Sequence, residues 1–178
     1  TAQEYFLGNN KAALFTEAIN AFNRLEKRYN PIVLEGAGSI SELNLKSRDI
    51  TNMRMAVETD AVTYLVSDID KGGVFASVFG SIHLLDDVER KQIKGIIINK
   101  FRGDAKLFEE GRTILEELTG VPVIGVLPYF RDIHIEEEDS VSLEDKYKES
   151  HASLINIAVI RLPRMANFTD FSVLEHDP

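Results

Sequence analysis

The chain has 178 residues, 44% of them hydrophobic, which is enough for one domain with a full core. Its 20 Lys and Arg against 29 Asp and Glu leave a net charge of −9 with no basic run, which argues against nucleic acid and anionic membrane as partners. There is no cysteine, so disulfides, cysteine-ligated zinc and a cysteine nucleophile are excluded within the chain.

No apolar stretch approaches the roughly 18 residues of a membrane span, and the opening TAQEYFLGNN has neither a basic region nor an apolar signal core. A soluble, cytoplasmic protein is expected, and Thr1 in place of Met points to a piece of something longer. Asn9 and Asn10 can cap a first helix whose Leu14, Ala18, Ile19, Phe22 and Leu25 recur at helical spacing, ended by Pro31. Residues 32–35 then read as a buried strand ending in Glu35, followed by Gly36-Ala37-Gly38-Ser39. A carboxylate and bare backbone at a strand end suit a metal and a phosphate; an ordinary glycine turn with a solvated Glu35 is the competing reading.

Residues 41–49 read as a polar loop and 51–58 as a helix. AVTYLVSD (61–68) is a second strand, and its end, Asp68-Ile69-Asp70-Lys71-Gly72-Gly73, repeats the strand, acid, glycine order before a helical stretch at 74–85. KGIIINK (94–100) is a third strand. Asp104 can cap the next helix, with apolar positions Leu107, Phe108, Gly111, Ile114, Leu115 and Leu118 and a closing Gly120; residues 121–127 form a fourth strand. This alternation predicts an α/β fold with a doubly wound, mostly parallel sheet and helices on both faces. Residues 1–130 read as the main domain, the acidic stretch 131–154 as a linker or lid, and 155–178 as a last strand-like run, INIAVIRL, with its connection.

Ligands of such a sheet collect at the C-terminal strand ends, where Glu35, Asp68, Asp70, Asn99 and the Gly72-Gly73 turn would meet. Oxygen donors with no nearby His or Cys suit magnesium, and magnesium in such a crevice implies nucleotide phosphates. Lys71 would hold an anionic group or is a surface lysine; Asn99 and Lys100 would read a base, or Asn99 caps a turn. Yet no GxxxxGK[ST] phosphate loop occurs in the chain.

The strings EGAGSISELNL (35–45), RDITNMRMA (48–56), DIDKGGVFAS (68–77), GIIINKFRGD (95–104), TGVPVIGVLPY (119–129), EEDS (137–140) and RLPRMANFTDF (161–171) together resemble the cobyric acid synthase family, glutamine-dependent amidotransferases of cobalamin biosynthesis. Their synthetase domain is similar to dethiobiotin synthetase and related to P-loop NTPases. The resemblance implies ATP- and magnesium-dependent activation of the b, d, e and g carboxylates of adenosylcobyrinic acid a,c-diamide as acyl phosphates. Ammonia from glutamine, released in a separate C-terminal glutaminase domain, then forms the amides.

It carries Glu35 over as a magnesium or substrate ligand and Asn99, with Lys100, as the contact to the nucleotide base. Gly36 and Gly38 would face the nucleotide, Asp68, Asp70 and Lys71 the reacting groups, and Glu42, Asn44, Gly72 and Gly73 the substrate. The family's phosphate loop and its glutaminase Cys and His are not among these residues, so the chain reads as an N-terminally truncated central fragment, inactive alone. Ile40 and Ala166 stand where Pro and Ser are frequent. A related ATP-dependent ligase and a non-catalytic binding domain are the alternatives, and a sheet missing its N-terminal strand would leave an edge through which a homo-oligomer could pair.

Overall fold

The β-branched runs form a three-stranded parallel sheet in the computed structural model, which describes residues 10–130. The chain divides into two units, Thr1–Phe130 and Arg131–Pro178, and the described residues all belong to the first. The strands are β1 (Thr63–Asp68), β2 (Ile93–Phe101) and β3 (Val123–Pro128), in the order β1-β2-β3. The helices are α1 (Lys11–Glu26), α2 (Met53–Glu58), α3 (Val74–His83), α4 (Asp87–Arg90) and α5 (Glu109–Thr119), with 3₁₀ turns at Lys46–Arg48 and Ala105–Phe108. Parallel neighbours need a crossover, and α3 and α5 supply it between successive strands. The expected α/β class with a parallel sheet is what forms. Among the described residues no helix is long and apolar enough to cross a membrane.

Register decides which side chains share a face. Leu65 lies opposite Ile96 and Ser67 opposite Ile98, and Ile98 pairs onward with Val126. Ile96 and Ile98 are 0% exposed and cluster with Val78 and Ile82 of α3 and Leu115 of α5. That face is the core. On the other face Tyr64 and Val66 remain 52% and 55% exposed. Gly95, opposite Tyr64, makes room for Ile124 there, since a Cβ on Gly95 would lie 2.9 Å from its Cδ1. Phe22 of α1 and residues 29–36 line a wide cleft together with β1 residues of both faces and Ser77, Val78 and Ser81 of α3.

Local chemistry explains the helix ends. Asp86 accepts from the amides of Val88 and Glu89 while Glu89 reaches back to the Asp86 amide, a capping box that starts α4, a helix the sequence reading left out. Asp104 caps the turn before α5 through the Lys106 amide, and Gly120 closes α5 at φ 68°. Asn10 stands at the start of α1 without a side-chain cap, and α1 buries only Phe15, under the Arg54 guanidinium 4.1 Å from its ring centre.

Two further expectations fail in the fold. Residues 32–35 are not a strand: they have no ladder partner among the described residues, and Val33 is 89% exposed. A strand is only as regular as its hydrogen-bonded neighbour, so an apolar run without one stays irregular. The α5 face is also narrower than its spacing implied, because the 3₁₀ turn rotates Leu107 outward and leaves Phe108, Gly111 and Leu115 as the buried set. Asn9, the acidic stretch 131–154 and the run at 155–162 lie outside the described residues.

A one-sided core makes unequal mutations. Ile98→Ala should cost about 2–5 kcal/mol and Val66→Ala under about 1 kcal/mol in urea unfolding of this chain. Equal losses would contradict the burial of one face only.

Candidate functional site

Parallel pairing brings the ends of β1 and β2 level, with Asp68 directly opposite Asn99. Beyond Ile98 the β2 register slips against β3, and Lys100 adopts φ 61°, a left-handed conformation that is costly for a residue with a Cβ. The bulge aims the Lys100 side chain across β1: its Nζ donates to Asp68 Oδ2 at 2.6 Å, and Asn99 Nδ2 donates to Asp68 Oδ1 at 3.3 Å. The hydrogen bond to Asp68 raises the Lys100 ammonium above an ordinary lysine, with the charge of Asp70 adding to it against partial desolvation. Lys100 therefore stays cationic. Alongside, the Arg102 guanidinium stacks 3.6 Å from the Tyr129 ring centre, and the Tyr129 amide donates to the Phe101 carbonyl.

The β1–α3 turn carries the next group. Gly72 and Gly73 take φ 78° and 73°, and Gly73 is the residue at which α3 begins. Lys71 and Asp70 are exposed beside it.

Glu35 belongs to a different place. It lines a cleft of about 1030 Å³ with Gly36, Gly38, Tyr64, Val66 and Ser67, the residue before Asp68. Glu42 lies on a smaller cavity of about 400 Å³ with Gly38, Arg48 and Asp49, whereas Asn44 is exposed and lines neither. The Lys46 ammonium in the smaller cavity is engaged by Glu89, whose hydrogen bond raises it. The single crevice foreseen for all these residues is thus three adjoining places: the strand ends, the wide cleft and the smaller cavity.

The glycine loop is held by residues that sequence reasoning missed. Asn52 Nδ2 donates to the Ala37 carbonyl at 2.7 Å, and the Ala37 amide donates to Asn52 Oδ1 at 3.0 Å. Asp49 Oδ2 accepts from the same Nδ2, and Asp49 Oδ1 accepts from the Thr51 amide, the Thr51 hydroxyl and the Asn52 amide. Burial pushes the Asp49 carboxyl up, and these hydrogen bonds outweigh it, leaving the group below an ordinary aspartate. The one available signal was D-x-T-N immediately before a helix, which reads as capping chemistry.

Among the described residues no group of three or more His, Cys, Asp or Glu could hold a metal. Glu35 offers one carboxylate. That suits a magnesium ion shared with phosphate oxygens and water and does not suit a cage made of protein alone.

A family model described as an AAA domain matches residues 8–137. The chain belongs to the AAA-domain family. Its curated relatives include cobyric acid synthases. That of Parabacteroides distasonis is 66% identical over 179 aligned residues, covering 100% of this chain and 36% of that protein. That of Bacteroides fragilis is 56% identical over 99% of this chain and 36% of its own length. The Listeria monocytogenes protein is 54% identical over 94% of this chain and 33% of its own length. The resemblance read from the motifs therefore holds along this AAA-domain chain, which spans roughly a third (33–36%) of the length of these relatives. No solved structure matches the chain significantly.

Asp49 is a titration handle on the loop. Its lowered folded value means the stabilisation is fully present above the unfolded value of about 4 and is lost as pH falls through the folded one. Urea midpoints measured down the acid limb should therefore flatten in Asp49→Asn, which should also be less stable at neutral pH. An unchanged acid slope would remove Asp49 from the account.

Proposed function

We propose that this chain is the central part of the ATP-dependent synthetase region of a cobyric acid synthase. The observation that carries the reading is the 66% identity to such an enzyme over the whole chain, joined to a cationic, acid-paired cluster at the strand ends. In the longer enzyme a peripheral carboxylate of adenosylcobyrinic acid a,c-diamide attacks the γ-phosphorus of ATP, and the bond to ADP breaks. Ammonia, released from glutamine in a glutaminase domain outside this chain, attacks the acyl phosphate carbon and expels phosphate. The reaction takes place in the cytoplasm.

Each group has a role consistent with its place. Lys100, kept protonated by Asp68, supplies fixed positive charge at the sheet edge, where phosphate oxygens of a nucleotide would lie. Asn99 and the Arg102–Tyr129 stack lie beside it and would border the base. Lys71 and the first amides of α3, opened by Gly72 and Gly73, suit the transferred phosphoryl group or the substrate carboxylate. Magnesium, held by Glu35 with phosphate oxygens, would neutralise charge on the nucleotide. Glu42 and Asn44 would face the corrinoid.

The domain assignment follows: 1–130 as the body of the synthetase region, 131–154 as a linker or lid, and 155–178 as the passage toward the glutaminase. Glu35→Gln in the full-length enzyme should reduce ATP-dependent amidation by about 100-fold or more while glutamine hydrolysis persists. Undiminished amidation in that variant would show that Glu35 has no part in the chemistry.

A further inference from the structure

Asn52 lies where the two cavities meet. With Gly38, Ser39, Ile40, Thr51 and Met53 it lines both of them, so this part of the glycine loop is the wall between the Glu35 side and the Glu42 side. We propose that Asn52, oriented by Asp49, is a positioning residue that clamps the Glu35-bearing loop and thereby sets where the Glu35 carboxylate stands in the wide cleft. The catalytic part of this inference rests on the proposed function.

Three features carry it. The Asn52 carboxamide meets both main-chain polar groups of Ala37, two residues after Glu35, at 2.7 and 3.0 Å. One hydrogen bond would leave the loop free to swivel, whereas two opposed ones fix its direction. Next, the carboxamide is not free to flip: Asp49 Oδ2 takes Nδ2 at 2.8 Å, which directs Nδ2 to the Ala37 carbonyl and Oδ1 to its amide. An aspartate at 52 would keep the acceptor and lose the donor, with its charge set against that of Asp49. Finally, Gly36 is shaped to Asn52 and not to a turn: a Cβ there would lie 2.3 Å from Asn52 Oδ1. The glycine beside Glu35 therefore makes room for the clamp.

The clamp's bonds to Ala37 are solvent-exposed, so water can replace them at small cost to overall stability. What water cannot replace is the direction they impose. Among the described residues the loop's remaining side-chain bonds run between Ser39 and Ser41 and do not reach α2. Loss of Asn52 should thus move Glu35 with little unfolding.

Two readouts test it, one in this chain and one in the full-length enzyme of the proposed reading. In this chain, Asn52→Ala and Asn52→Asp should raise amide hydrogen exchange at Ala37 by about tenfold or more while Ile96 and Ile98 stay protected. In the longer enzyme, Asn52→Ala should lower kcat for amidation by about 100-fold with KM for ATP changed less than about threefold, and Asn52→Asp should fall between it and the parent. Unchanged exchange at Ala37 would overturn the clamp. Faster exchange with unaltered kcat, or a rise confined to KM, would overturn the positioning role. A parent enzyme without amidation activity would overturn the proposed function and this catalytic role with it, while the exchange at Ala37 would still report the clamp.

Discussion

Parallel pairing of β1 with β2 is the constraint on which the rest depends. It forces both strands to end at the same edge, and its register sets Asp68 against Asn99. From that follow the short bridge from Lys100 to Asp68, the cationic state of Lys100, and the alignment of the β1–α3 glycine turn beside them. An antiparallel pairing of the same segments would send Asp68 and Asn99 to opposite ends of the sheet. The bulge at Lys100 lies between Ile98 in the core and Phe101, whose ring packs 5.6 Å from that of Phe108. Its strain is accounted for by the side chain it redirects.

The sheet is unequal on its two faces, and this shapes the site as much as the strand ends do. One face is sealed by α3 and α5 around Ile96 and Ile98. The free edge of β1 borders a cleft lined by residues of both its faces, by Ser77, Val78 and Ser81 of α3 and by the apolar run 32–34, with Glu35 at its end. Two strand-like stretches thus line one space without hydrogen bonds between them in the described residues. The wall that ends this space is the loop that Asn52 holds, so the cleft and the smaller cavity share one boundary.

Much of this was legible in the residues. The runs TYLVSD and KGIIINK are mostly apolar and β-branched at their centres, which suits strands of a parallel sheet, and both appear within two residues of where the pattern put them. Strand-end logic grouped Asp68 with Asn99, which the register sets opposite each other, and grouped Glu35 with them, which lies instead on the wide cleft. The segment 32–35 was misread because its composition is that of a strand, and composition carries no information about whether a neighbour is present to pair with it. Asn52 and Asp49 were missed for the opposite reason: each looks like ordinary helix-start chemistry, and the bonds from Asn52 to Ala37 span 15 residues of sequence with no periodic signal. The glycine at 36 was read as access for a phosphate, whereas its neighbour in space is the Asn52 oxygen.

The central claim is that these strand ends belong to an enzyme that transfers the γ-phosphoryl group of ATP to a carboxylate. Positional isotope exchange tests it most directly, in the full-length enzyme supplied with ATP carrying heavy oxygen in the β–γ bridge and with neither glutamine nor ammonia present. The account predicts that label scrambles between bridge and β-nonbridge positions only when adenosylcobyrinic acid a,c-diamide is added, because reversible acyl phosphate formation frees the β-phosphate to rotate. No scrambling with that substrate, or equal scrambling without it, would contradict the account.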